Sequence, residues 1–167
     1  MAGLTANPVT PLDPANAKVG ADGWFPDIPL ALVRNAARLG NGEVTTDRLR
    51  ASIEAAMLTA FRQLAEWRAT HVLAGANALA DVTTETINDR NQADALWERL
   101  IISLTAADLF AGSRDITATD RGLDRAADKE DSADEYYRRA WAAVADLKTF
   151  APGGTRADVP RNRVELI

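Results

Sequence analysis

The chain has 167 residues, enough for one domain with a core of its own, and 47 % of them are hydrophobic against 26 % charged. A formal net charge of −5 argues against a general nucleic-acid binder, which needs a basic surface to release counterions from phosphates. With no cysteine and one histidine, disulfides, thiolate catalysis and zinc–cysteine sites are excluded, and no apolar run reaches the roughly 18 residues of a membrane span.

Residues 1–23 carry Pro8, Pro11, Pro14, Gly3, Gly20 and Gly23 with little periodicity, which reads as an extended N-terminal arm. There is no basic segment followed by an apolar stretch, so this is not a signal peptide. A short helix is expected from Asp27, with Asp27 as its cap and Pro29 in the first turn, where a missing N–H costs nothing. Leu30, Val33 and Ala37 follow at helical spacing, and Gly40 and Gly42 end the segment. Trp24, Phe25 and Pro26 stand just ahead of it. Two arrangements suit such rings: a staple folded back on the first helix, or an anchor docked on a neighbouring chain. The anchor is the role assigned to them here, with Trp24, Phe25 and Pro26 as interface residues.

The first long helix begins at Thr45 or Thr46, either of which can cap it, with Asp47 at the positive end of the dipole. Leu49, Ile53, Met57, Ala60, Phe61, Leu64, Trp67 and His71 make one apolar stripe, and Gly75 stops it. Residues 76–87 stay ambiguous between β-branched strand and turn. A second long helix runs from about Asn91 to Ala111, with Ala93, Leu96, Trp97, Leu100, Ile101, Leu104 and Ala107 as its stripe. Gly112 stops it, and "GSRDIT" is a loop. A third starts near Thr119 or Asp120 and places Leu123, Ala126, Ala127, Ala133, Tyr137, Ala140, Trp141, Val144 and Leu147 on one side. Glu135–Arg139 and Asp134–Arg138 are expected pairs one turn apart. Trp67, Trp97 and Trp141 are expected to meet in one core. "APGG" at 151–154 breaks the helix, and a C-terminal tail follows.

The expected fold is therefore all-α: a short helix and three long helices, residues 24–150, between an arm (1–23) and a tail (151–167). In the tail, Val164-Glu165-Leu166-Ile167 alternates, which suits strand addition or docking into an apolar groove, and Arg161 and Arg163 add local positive charge. Arg161, Arg163, Val164, Leu166 and Ile167 complete the candidate interface residues.

No chemistry stands out. One histidine cannot supply the two Glu-x-x-His motifs of a di-iron bundle, so His71 reads as a packing or capping residue. "DRGLDRAADKEDSADE" does not place glycine and glutamate where a calcium loop needs them, and reads as the wet face of a helix. Asp124, Asp128, Asp131 and Asp134 on that face can look into a lumen or outward to solvent. No serine has a nucleophile-elbow context, and "GNGEV" and "APGGT" lack the Gly-Lys-Ser/Thr of a phosphate loop. No catalytic residue, metal site or cofactor is expected.

The order "WFPDIPL", a short helix, "VTTDRLRASIEAAMLTAFRQLAEWR", "LADVTTETIND" and "RAADKEDSADEYYRRAWAAVADL", covering residues 22–148, resembles the head-completion proteins of contractile-tailed phages. The resemblance implies a connector-like structural subunit, not an enzyme. Such subunits form a ring, usually of twelve copies, beneath the portal protein. The ring extends the channel, retains packaged DNA and carries the neck, tail-terminator and tail proteins. It implies location in the virion neck, after assembly in the host cytoplasm. DNA would pass an acidic channel without sequence-specific binding, and no membrane is involved. The alternatives are a β-rich tail-terminator or stopper, which the scarcity of strand signal disfavours, and a non-viral helical binding module or regulator acting as a monomer or dimer.

Overall fold

The computed structural model describes residues 13–37, 44–112, 120–153 and 156–157, and only the backbone of 120–132. It is an all-α fold with a few two-residue strands. In chain order these are strand β1 (Lys18–Val19), strand β2 (Ile28–Pro29), helix α1 (Leu30–Ala36), helix α2 (Thr46–Leu73), a 3-10 turn (Leu79–Val82), strands β3 (Thr86–Ile87) and β4 (Arg90–Asn91), helix α3 (Gln92–Gly112) and helix α4 (Asp120–Lys148).

Helix α2 starts and stops for identifiable reasons. The Thr45 hydroxyl accepts the Arg48 N–H at 3.3 Å, and Asp47 lies in the first turn. At the other end Gly75 takes φ +99°, and two bonds close the terminus: Ala76 N–H to the His71 carbonyl and Gly75 N–H to the Val72 carbonyl, both 3.0 Å. That is a Schellman motif, which a side chain at Gly75 would strain. Leu49, Ile53, Met57, Ala60, Leu64, Trp67 and His71 are all buried, as the stripe requires, and Phe61 is partly so.

The ambiguous stretch resolves into local devices. The Asp81 carboxylate accepts the N–H groups of Asn77 and Ala78 at 2.8 and 2.9 Å, fixing the 3-10 turn. Then β3 and β4 pair antiparallel, with Ile87 opposite Arg90. The two residues between them, Asn88 and Asp89, have φ +50° and +58°. Two successive left-handed residues make the tight turn whose twist suits a hairpin, and Asn and Asp tolerate that region best after glycine. Asn91 leads into α3, its side-chain oxygen accepting the Ala93 N–H at 2.9 Å.

Helix α3 is the centre of the bundle. Ala93, Trp97, Leu100, Ile101, Ser103 to Ala107 and Leu109 are buried, so it is covered on most sides. It packs along α4 most extensively and along α2 next. Named contacts give the directions. Ser52 Oγ donates to Asp108 at 2.6 Å while Phe61 stacks on Trp97, so α2 and α3 are antiparallel. Phe110 stacks on Tyr136 while Leu96 and Phe150 line one groove at the far end, so α3 and α4 are antiparallel as well. Helices α2 and α4 therefore run the same way.

Helix α1 begins later than the sequence indicates. Pro29 is its N-cap, with no side-chain cap bond. Asp27 is occupied elsewhere: it accepts the Ala21 N–H at 2.9 Å and pairs with Lys18 at 2.7 Å. Leu30, Val33 and Ala37 are buried as expected. Gly40, Gly42, the loop after Gly112, and Leu123, Ala126 and Ala127 lie outside the residues whose side chains are described. So do Asp124, Asp128 and Asp131.

The inner face of α4 is rotated from the expected one. Ala133, Ala140, Ala143, Val144 and Leu147 are buried, whereas Tyr137 and Trp141 remain 39 % and 43 % exposed. Trp141 does not join Trp67 and Trp97 in a core. Ala140 and Ala143, both fully buried, bring the α4 backbone close to its neighbours, and a seam that tight has no room for an indole. The ion pairs on the outer face are Arg139–Glu135 and Arg138–Glu135, both 2.9 Å; Arg138 takes Glu135 rather than Asp134.

Candidate assembly surfaces

The leader is built into the bundle from residue 13 onward. Asp13 accepts two bonds from Arg34, at 2.5 and 2.9 Å, and one from the Thr46 hydroxyl at 2.5 Å. The Arg34 guanidinium holds the Asp13 carboxyl below its ordinary range against the opposing effect of burial, with Thr46 assisting. Val19 is buried, and β1 pairs with β2 in antiparallel register, Val19 opposite Ile28. Residues 13–23 thus clasp their own helices.

Trp24 and Phe25 sit in the chain's own core, 6 % and 1 % exposed, so they correct the expected docking on a neighbour. A ring with that little surface left offers a partner nothing to grip. The Asp22 carboxylate turns the chain by accepting the N–H groups of Trp24 and Phe25, each at 3.1 Å. Its other oxygen meets Arg68, whose guanidinium covers both rings at 5.2 and 5.5 Å from their centroids. Burial pushes the Asp22 carboxyl up, but the two N–H groups and Arg68 outweigh it and leave it below the ordinary range. Phe25 stacks against Trp97 and Phe61 at 4.3 and 5.3 Å. Trp24 meets Trp67 edge-on at 6.0 Å and donates to the Ala76 carbonyl at 3.3 Å. The carbonyl of Pro26, half-buried, accepts the Trp97 indole N–H at 3.0 Å. This is the staple arrangement, extended to α2 and α3.

A second clasp holds the far end. The Phe150 carbonyl accepts the Trp67 indole N–H and a bond from His71 Nε2, both at 2.9 Å. A carbonyl only accepts, so Nε2 carries a proton, and the ring also meets Trp67 edge-on at 4.7 Å. His71 is a core residue with its polar tip satisfied, as its place on the stripe indicates. Beyond it, Phe150 bridges to Arg156, and Ala157 N–H donates to the Thr149 carbonyl at 2.7 Å. Arg156 pairs with Glu85 and stands over the Phe150 ring at 5.0 Å. Beside it lies an open groove of about 430 Å³ between Ile87, Leu96, Arg99 and Phe150. Arg161, Arg163, Val164, Leu166 and Ile167 lie outside the described residues.

Between the two clasps the described surface contains no cluster of three or more histidine, aspartate or glutamate side chains able to hold a metal, and no described helix is long and apolar enough to cross a membrane. What it does expose is large apolar side chains: Leu58 at 69 %, Leu73 at 88 %, Val72, Ile87, Tyr137 and Trp141.

A family model described as phage head completion protein (GPL) matches residues 19–156, from β1 to the Phe150–Arg156 bridge. The chain belongs to the phage head completion protein family. A curated relative, the head completion/stabilization protein of Escherichia phage P2, is 33 % identical over 126 residues, covering 75 % of this chain and 73 % of the relative. No solved structure matches. The matched span takes in the helices, the Asp22–Phe25 turn and the Phe150–Arg156 bridge, and begins after Asp13. Membership makes this head completion protein a structural component of a phage particle rather than an enzyme.

Proposed function

We infer that this head completion protein is one subunit of a ring beneath the portal, in which neighbouring copies extend the DNA channel, retain the packaged genome and present a platform for the neck and tail-terminator proteins. The observation that carries the reading is the family match over residues 19–156, joined to a folded body that leaves several large apolar side chains uncovered. Large apolar side chains left open on two long helices, α2 and α4, suit surfaces that neighbouring copies cover. The net charge of −5 suits a channel wall, because a like-charged surface does not grip phosphates. The homo-oligomer, usually of twelve copies in such connectors, acts in the virion neck after assembly in the host cytoplasm.

The tail carries the attachment to the portal or to the next copy. Its alternating Val164, Leu166 and Ile167 and its cations Arg161 and Arg163 suit an added strand or an apolar groove on an acidic partner. Averaged images of particles made with and without the chain test the reading. A ring of density beneath the portal that disappears with the chain, together with filled heads that lose DNA and take no tails, is the expected result. Density at any other site on the capsid contradicts it.

A further inference from the structure

The outward face of α2 is an unpartnered stripe. Ala51, Ala55, Leu58, Arg62, Ala65, Ala69 and Val72 recur at alternating spacings of four and three, and every one is exposed. They lie opposite the buried stripe Leu49, Ile53, Ala60, Leu64 and Trp67. A helix with two apolar stripes has two things to cover. One is covered by α3 and the leader. Helix α4 carries the second uncovered surface, Tyr137 and Trp141, with Asp134 and Arg138 beside them.

We propose that the α2 stripe of one copy packs against the Tyr137–Trp141 face of α4 in the next, which makes this the repeating contact of the ring; the inference rests on the ring reading above. Two different faces of one chain meeting head-to-tail are what a cyclic assembly requires, whereas a two-fold dimer would pair a face with itself. The level of the contact follows from symmetry. Rotation about a ring axis preserves height and radius, so for helices lying along the axis or along a radius, residues level within a copy are level across the contact. Within the chain, Ser52 meets Asp108, Phe110 meets Tyr136, and Trp67 meets Phe150. With α2 and α4 set that way in the ring, as proposed, Trp141 is level with the turn Ala55–Leu58, where an indole finds alanine on one side and the open Leu58 on the other.

The charges agree with that register. Asp134 falls level with Arg48, Arg138 with Glu54, and Lys148 with Glu66, three opposite-sign pairs along one parallel seam. The side chains of Arg48, Glu54, Glu66, Asp134 and Lys148 form no ion pair among the described residues, and Arg138 has its exposed partner Glu135 one turn away. Complementary charges beside an apolar contact fix register and suppress wrong pairings more than they add affinity.

The chain contains no cysteine, so introduced thiols report the contact directly. Leu58→Cys and Trp141→Cys combined in one chain, oxidised in assembled particles, should give a ladder of covalent multimers on denaturing gels. A mixture of the two single variants should give dimers, and each single variant alone should give none. Because losing Trp141 can weaken assembly, the flanking pair Glu54→Cys and Arg138→Cys repeats the test with the indole retained and a short bismaleimide as linker. Dimers from either single variant alone, or particles that hold an intact ring yet yield no cross-link from either pair, overturn the contact and leave the ring reading standing. Wild-type particles with no ring overturn both.

Discussion

Phe25 shows how a single side chain can join a leader to a bundle. Its ring is gripped by Trp97 on α3 and by Phe61 and the Arg68 guanidinium on α2, so both helices lose a contact when it is removed. Truncating a buried phenylalanine costs about 3–5 kcal/mol through lost transfer energy and the cavity left behind. Phe25→Ala should lower stability by about that much in denaturant titrations, with the helical circular dichroism of the remaining native population unchanged. A loss confined to ring assembly, with stability intact, would instead mean that the ring belongs to a partner contact. The buried stripe of α2 from Leu49 to Trp67 and His71 was legible from residue spacing. The direction in which Trp24 and Phe25 point was not, because a staple and an anchor have the same local sequence. Only the position of Trp97 and the Ala76 carbonyl separates them, and both lie far along the chain.

Among the elements, the leader is fastened by carboxylates beside its buried Val19, Trp24 and Phe25, and so has a built-in dependence on acid. Asp13 is depressed by the Arg34 guanidinium, Asp22, against its burial, by backbone N–H groups and Arg68, and Asp27 by Lys18 and the Ala21 N–H. Each binds a proton less readily folded than unfolded. Their stabilisation is thus complete above the ordinary carboxylate pKa of 3.8 and is lost as pH falls through the lowered folded values. The urea midpoint should fall steadily below about pH 4, and Asp22→Asn should flatten that slope while lowering the midpoint at neutral pH. An Asp22→Asn protein whose acid profile parallels the wild type would remove Asp22 from the account. At the same scale, the buried side of α4 differs in phase from the one its spacing suggests. The tryptophan draws the apolar side toward itself on paper, but in the bundle close packing selects Ala140 and Ala143 and turns Trp141 outward. The β3–β4 hairpin left only a faint mark, Asn88–Asp89, because neither residue is the glycine that usually announces a two-residue turn.

For the molecule as a whole, the distinction is between what folds and what assembles. The described body closes on itself from Asp13 to Ala157, and the test of the tail, residues 158–167, is its removal. Removing them should leave the thermal midpoint and the far-ultraviolet spectrum unchanged while abolishing incorporation into particles. A truncated chain that enters particles at wild-type levels would show that attachment runs through the bundle alone. The family match bounded by residues 19 and 156 accords with this division, since it stops where the second clasp does.

Local patterning by itself determined the all-α class, the start and stop of α2 and the order of the long helices, while the kinship with phage head completion proteins rests on the family match. The first three depend on short-range spacing, caps and turn residues, which a linear text carries in full. The tertiary structure decided that the leader folds back from Asp13, that Trp24 and Phe25 are internal, and that Trp141 with the α2 stripe is left uncovered. Each of these depends on which of several apolar surfaces wins the limited space against α3, a competition settled by side-chain volume between residues distant in sequence.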